Sequence, residues 1–515
     1  WDVNAPLNRQ ILAFSVLLVL IVSSVGIALF MNPSQNEDSG KDLYLAGMRE
    51  FENSNYNAAS DLFNRSYQAY KSAGEQELAR QSLEWKFRAD RILLEYCLNR
   101  EQAEVLLAEV YHWVPSEVRS SWLDDERVER IVSDGGERFF YGIAENLAFR
   151  NLTLYHELHD GRGTDIYAAV MKEIIEADAK REDKTYFNQT RFIANGALAI
   201  PRGALPATGT LSIWIPVPIE TASQEITGYP MVTIQDMRWV KAMSLPTADI
   251  GYVYLEVPLD GLQEDVTVSV SYSFTAYQMH FDIDPSAVGE YDRSSPEYLK
   301  YTASHGNILV TEEVMEEARA VVGDETDPYV QAKLLYDYVI GNISYSYTPH
   351  TSLEALGIAE SEYVRENRRG DCGAQSMYYC ALLRSLGIPA RSTGGYQMLG
   401  GGTGTHFWAE FYLPNYGWVP VDVTGAEGMD WIWLDSVTPE ERERYKEYYF
   451  GNLDNCRYVI QKDVDESLWP EPDTFPLLSL AFQYPMASCT TSDLDMPVVA
   501  LDYWEFVITP DAPKP

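Results

Sequence analysis

The segment VTVSVSYSFT, Val266–Thr275, alternates apolar and hydroxyl-bearing residues without a break. Side chains on a strand point to opposite faces with a period of two, so Val266, Val268, Val270, Tyr272 and Phe274 share one face. Thr267, Ser269, Ser271, Ser273 and Thr275 share the other. No helical period sorts these residues, and the pattern is that of a strand half-buried in an antiparallel sheet. LSIWIPVP repeats it through Leu211, Ile213, Ile215 and Val217, and GYVYLEVP supplies a third strand. With Pro and Gly punctuating the gaps, residues 185–285 are expected to form a β-sandwich. It has none of the residue types of a catalytic site and reads as a structural or substrate-presenting module.

The chain before it follows other periods. From Leu43 to about Ala179, strand-like alternation is scarce, and Tyr44, Phe51, Leu62, Phe63, Tyr67 and Tyr70 recur at helical intervals. The predicted helical region spans 40–180. Gly47, Tyr56, Ala59 and Phe63 resemble one tetratricopeptide hairpin, but a shift of about 34 residues does not reproduce it, which leaves an ordinary bundle equally open. Ile11–Met31 is a run of 21 residues without a charge, enough at about 1.5 Å per residue to cross a hydrocarbon core of roughly 30 Å. It reads as a single transmembrane helix, with a cleaved signal peptide as the alternative. Arg9 before it and Glu37 and Asp38 after it place residues 1–10 in the cytoplasm and the rest outside, at a cell membrane. The expected partners are then a lipid bilayer and other surface or envelope proteins.

That placement bears on two further features. Sequons at Asn64, Asn151, Asn188 and Asn342 fall on the outer side and permit glycosylation. An oxidising exterior would tend to pair thiols, and Cys456 and Cys489 are the expected pair. The balance of 77 Asp plus Glu against 39 Lys plus Arg gives a net charge of −38. Nucleic acid is held by clustered cations, so this chain excludes it as a partner.

The chemistry-bearing residues come later. Asp327 followed by Pro328 is a helix N-cap with proline at the first helical position. In RRGDCGAQSMYYCALLRSLGIPAR, Cys372 opens an apolar helical run that ends at Gly387 and Pro389. A helix start favours thiolate over thiol, so the Cys372 pKa is expected to be lowered. Cys380, mid-helix, reads as an inert core thiol. THFWAEFYLPNYGWVPVDVTG forms a hairpin in which His406, Trp408 and Glu410 alternate along one strand. In an even register His406 and Asp422 lie on one face, within reach for a carboxylate to hold the imidazole; a slip of one residue separates them. A zinc site built from Cys, His and Asp is disfavoured because no fourth ligand is evident, and no metal or other cofactor is expected. His280, His305 and His350 stand outside any motif and read as surface or core histidines. Leu399–Thr405, LGGGTGT, lacks the Lys-Ser/Thr of a phosphate loop and reads as an edge or lid of the cleft.

Gly-Asp-Cys, then LLRSLGIPAR, Gly394-Gly395-Tyr396, His406 with Trp408, Ala409 and Glu410, and GWVPVD ending at Asp422 resemble the transglutaminase-like (papain-like) cysteine domain over about 310–425. IWIPVP and FGNLDNCRYV resemble flanks of its prokaryotic members. The resemblance implies an α+β catalytic domain over 295–450 followed by a C-terminal extension, 451–515, in a multidomain α+β chain. It implies Cys372 as nucleophile, His406 as general acid and base, Asp422 as the residue orienting His406, and Tyr345 or Tyr347 as an oxyanion donor. The implied activity is attack on an amide carbonyl of a protein or peptide through a thioester. Hydrolysis is favoured over cross-linking to an amine; the rival from another class is a non-catalytic surface-binding protein that retains the fold.

Overall fold

The computed structural model describes residues 39–159, 162–432 and 435–511. The proposed span 11–31 and the segment before it lie outside the described residues. Among the described residues no helix is long and apolar enough to cross a membrane.

The first part is helical. Gly40–Glu52, Tyr56–Ala73 and Gln76–Glu95 pack in succession, Arg100–Val110 packs on the elements that follow it, and a short hairpin, Arg130–Ser133 with Gly136–Phe139, interrupts the helices that end at Asp178. A Cβ on Gly47 would come within 2.7 Å of the Phe63 ring, so the glycine lets the first two helices close around that aromatic.

The alternating segment is the central strand Val266–His280, paired antiparallel with Tyr186–Ile200 from Ile200 opposite Val266 onward. Val266, Val268, Val270, Tyr272 and Phe274 are all buried between two sheets. The second sheet is built on Thr210–Pro216, between Tyr252–Pro258 and Met486–Ser488. The sandwich is completed from far along the chain: Trp504–Pro510 pairs with Tyr186–Ile200, and Met486–Ser488 extends the opposite sheet. Residues after 450 are therefore part of its walls.

The third part is α+β. Asp327 caps Pro328–Asn342 by accepting from the Tyr329 and Val330 amides. Cys372–Ser385 is a central helix with every residue from Gly373 to Arg384 buried, as a helix apolar on all sides must be. It lies against a sheet ordered Gly417–Val421, Gly404–Leu413, Ala390–Gln397, Arg457–Gln461. The motif residues of that sheet hold it together. Arg391 lies directly opposite Glu410 and donates to it at 2.8 and 2.5 Å, and its guanidinium covers the Trp418 ring at 4.0 Å. Arg384 reaches Asp463 at 2.6 Å. A Cβ on Gly395 would sit 1.7 Å from the Tyr458 carbonyl oxygen, so only glycine admits the Arg457–Gln461 strand at this distance.

The three parts are tied by buried polar contacts. Gln224 of the sandwich donates to the Val459 carbonyl at 2.9 Å and accepts from the Val459 amide at 2.9 Å. Glu95 of the helical part accepts from the Thr351 and Ser352 amides, and Asn146 brackets the Tyr347 backbone through both its amide atoms.

Candidate active site

Cys372 opens its helix immediately after Asp371, whose carboxylate is the N-cap and accepts from the Gly373 and Ala374 amides at 3.1 Å each. The thiol is half-buried, beside the backbone of Phe407, the residue after His406. The His406 strand is paired with Gly417–Val421 only as far as Ala409 opposite Val421. Beyond that point its backbone is free of that neighbour, and the Phe407 amide lies where it acts to lower the Cys372 thiol pKa.

The register is even. Ala409 opposite Val421 places Trp408 level with Asp422 and His406 one diagonal step away on the same face. Asp422 leaves the ladder to cap the short helix Val423–Glu427, taking the Gly425 amide at 2.7 Å on Oδ1, while Oδ2 meets His406 Nε2 at 2.8 Å. Nδ1 is thus the ring nitrogen left for the cleft. Asp422 is fully buried and His406 nearly so, at 0 % and 8 % exposure. Burial alone would raise the Asp422 carboxyl. His406, Arg457 and the Gly425 amide outweigh it and hold the carboxyl well below the usual carboxylate range.

Arg457 is the site residue that sequence reasoning missed. Its Nη1 donates to Asp422 Oδ2 at 2.6 Å, its remaining donors grip Asp454, and its guanidinium lies over the Trp408 ring at 5.5 Å. It falls inside FGNLDNCRYV, and nothing in that string points to a residue 35 positions earlier.

His350 was also unassigned by sequence. It lies between Asp371 at 2.5 Å and Glu360 at 2.7 Å. Burial opposes its charge, yet the two carboxylates raise its pKa well above the ordinary histidine value.

The thiol departs from the sequence expectation. Burial, and then the Asp371 carboxylate, push the Cys372 pKa up; the amides of Phe407 and Gly373 offset only part of this. The helix start fails to lower it because Asp371 has taken the first free amides and placed a negative charge beside the sulfur.

The two tyrosines separate. Tyr345 pairs in parallel with Gly370, two residues before the cysteine, and lines a cavity of about 260 Å³ together with His406. Tyr347 is not among the lining residues and packs on Phe149. Glu427 receives the Tyr345 amide at 2.9 Å and Gln375 Nε2 at 2.7 Å, and burial pushes its carboxyl up to about 8.

The Cys456–Cys489 pairing is not formed. All five cysteines are free; Cys489 Sγ meets Thr491 Oγ1 at 3.3 Å and Cys456 Sγ meets Asn455 Oδ1 at 3.8 Å instead of each other. Asn151, Asn188 and Asn342 are exposed and Asn64 is half-buried. Among the described residues no group of three or more His, Cys, Asp and Glu side chains is arranged to hold a metal ion.

With this geometry in hand, the model of the transglutaminase-like superfamily matches residues 316–423, the stretch that contains Cys372, His406 and Asp422. Residues 316–423 are a transglutaminase-like domain. An uncharacterized protein of Haemophilus influenzae is 26% identical over 219 residues, which cover 38% of this chain and 58% of that relative. Among solved structures, a candidate cysteine protease from Cytophaga hutchinsonii shares 14% identity over 64% of this chain and 94% of its own, with a TM-score of 0.41. The periplasmic domain of TgpA from Pseudomonas aeruginosa shares 16% over 50% and 93%, with a TM-score of 0.21. Arg457 and half the cavity wall lie outside the matched transglutaminase-like segment.

Proposed function

We propose that this chain is a thiol enzyme that hydrolyses amide bonds of proteins or peptides, with Cys372 as nucleophile, His406 as general base and acid, and Asp422 as the group that orients His406. The observation that carries the proposal is the 2.8 Å His406–Asp422 bond, formed beside the start of the cysteine helix. Since the thiol pKa is raised, Cys372 rests protonated, and His406 Nδ1 takes the proton as sulfur attacks. The S–C bond forms, the carbonyl electron pair moves to oxygen, and on collapse the C–N bond breaks. The leaving nitrogen receives the proton held on His406. Water then adds to the thioester, yields its proton to His406, and the C–S bond breaks to release the acid and restore the thiol. Tyr345 Oη, with the Cys372 backbone N–H, is the oxyanion donor of choice because Tyr345 shares a cavity wall with His406.

The test is acylation by an activated peptide ester, read by mass spectrometry at Cys372, followed by peptide turnover. Cys372→Ala is expected to keep its melting curve and lose at least about 10³-fold in turnover. Turnover persisting in that variant refutes the assignment, and a native thiol that never acylates favours a binding protein instead. Product partition between water and an added amine separates hydrolysis from cross-linking. The uncharged run 11–31 supports a membrane-tethered enzyme working outside the cytoplasm, tested by whether alkaline carbonate extracts the full chain from membranes.

A further inference from the structure

We infer that the cavity beside His406 receives the amine component of the scissile amide, and that this component carries an uncharged aromatic or aliphatic side chain. The inference rests on the catalytic reading of Cys372 and His406 above, and begins from proton traffic. The acid that protonates a leaving nitrogen must lie within hydrogen-bond reach of it. His406 is in the cavity wall and Cys372 is not, so the cavity is on the side to which the nitrogen departs.

The walls then set the chemistry. Tyr155, Tyr167, Tyr345, Trp431, Leu399 and Ile432 form its aromatic and aliphatic walls. Trp431 is held by ring contacts to Tyr155 at 5.5 Å and Tyr345 at 5.0 Å. Burial raises the pKa of Tyr155 to about 12 and those of Tyr167 and Tyr345 further, so all three phenols stay neutral. Among the described lining residues His406 is the one ionisable group besides these phenols. A carboxylate or ammonium brought here would lose its hydration with no fixed counter-charge among these residues to replace it. The volume, about 260 Å³, is below that of sites for drug-sized ligands and suits a single side chain.

One polar lining group is unpaired. Gln397 Nε2 is buried without a hydrogen-bond partner. A buried donor in that state favours a ligand that brings an acceptor, as the next peptide carbonyl on the amine side would. The glycine-rich wall is fixed rather than loose: Thr403 Oγ1 exchanges hydrogen bonds with the Ile508 backbone at 3.3 and 3.2 Å. Selectivity therefore comes in part from outside the matched segment, through Tyr155 and Tyr167 of the helical region and the segment Trp431–Ile432.

The test uses the full chain carrying Cys372→Ala, so that binding is read without turnover. The probes are N-acetyl-Gly-Phe-amide, the Leu, Glu and Lys analogues, and the reversed N-acetyl-Phe-Gly-amide, each titrated by calorimetry. Phe and Leu are expected to bind at least about tenfold tighter than Glu or Lys, a difference of about 1.4 kcal/mol, and the reversed peptide to lack the advantage. Adding Trp431→Ala should erase the preference. Adding Leu399→Lys should raise affinity for the Glu probe, which keeps the test decisive if the tryptophan variant unfolds. Equal binding of charged probes overturns the side-chain class, and equal binding of the reversed peptide overturns the amine-side assignment. Failure of native Cys372 to acylate would sink the catalytic reading instead, and is seen separately.

Discussion

Replacing Arg457 by Met is the sharpest perturbation of this site. Arg457 and its partners Asp422 and Asp454 are 4 %, 1 % and 0 % exposed for Arg457, Asp454 and Asp422 respectively. Met keeps much of the volume over Trp408 but deletes every donor, leaving two buried carboxylates, of which Asp422 retains the His406 ring, the Thr424 hydroxyl and the Gly425 amide. Removing one partner of a buried pair costs about 3 to 5 kcal/mol, or roughly 10² to 10⁴ in the folding equilibrium. The pH dependence fixes the mechanism. In the native chain the Asp422 pKa is held below its unfolded value, so its stabilisation is present above about pH 4 and is lost as pH falls through the folded value. Without Arg457, burial weighs against fewer partners at Asp422 and its folded pKa rises, so the variant gains stability relative to the native chain as pH falls. Adding Asp454→Asn removes one orphaned charge and should recover part of the loss. Urea unfolding at pH 5 and pH 8 reads all three quantities. A loss under about 1 kcal/mol with a native pH slope would show that Arg457 is not compensating Asp422.

Three further outcomes follow from the same reasoning. His350→Gln leaves Asp371 and Glu360 without their shared cation and should cost about 3 kcal/mol at neutral pH. The native contribution of His350, whose pKa is raised, is full below about pH 6.5 and fades as pH rises through the folded value, which thermal melts across that range would follow. Glu427 works in the opposite chemical sense: its carboxyl is raised to about 8, so the fold loses stability between about pH 4.5 and 8, by on the order of 5 kcal/mol. Glu427→Ala should flatten that slope in a pH series of urea midpoints, and an unchanged slope would remove Glu427 as its source. Gly395→Ala forces a Cβ against the Tyr458 carbonyl and should cost at least about 3 kcal/mol. At Gly404 a Cβ meets nothing within 4 Å, and the same change should stay within about 0.5 kcal/mol in matched denaturation curves.

What the sequence made legible was periodic or local. Strict alternation found the strand at Val266, the Asp327-Pro328 pair found its helix start, and hairpin parity put His406 and Asp422 on one face. Each of these is decided within a few residues by backbone geometry. What stayed hidden depended on partners far along the chain. Arg457 meets Asp422 across 35 positions, His350 meets Asp371 across 21, and Trp504–Pro510 completes a sheet begun at Tyr186. The thiol was misjudged for a different reason. Asp371 was visible beside it, but a capping carboxylate both occupies the amides that would favour a thiolate and adds a charge that opposes one, and only the observed hydrogen bonds show that both happen here.

The charge of the chain and the charge of the site then become separate matters. A balance of −38 acts on the surroundings, but surface charges are screened within about 8 Å at physiological ionic strength. Inside the α+β part the buried carboxylates have partners of their own: Asp422 has Arg457 and the His406 ring, Asp371 shares His350 with Glu360, Asp463 has Arg384, and Glu410 has Arg391. Glu427 takes only neutral donors, the Tyr345 amide and Gln375, and burial pushes its carboxyl up to about 8. Such local neutralisation would let a protonated thiol and a histidine exchange a proton in an acidic protein, as the proposed mechanism requires. The Cys372 thiol answers to burial, Asp371 and the amides of Phe407 and Gly373, and the acidic surface is left to act on what approaches.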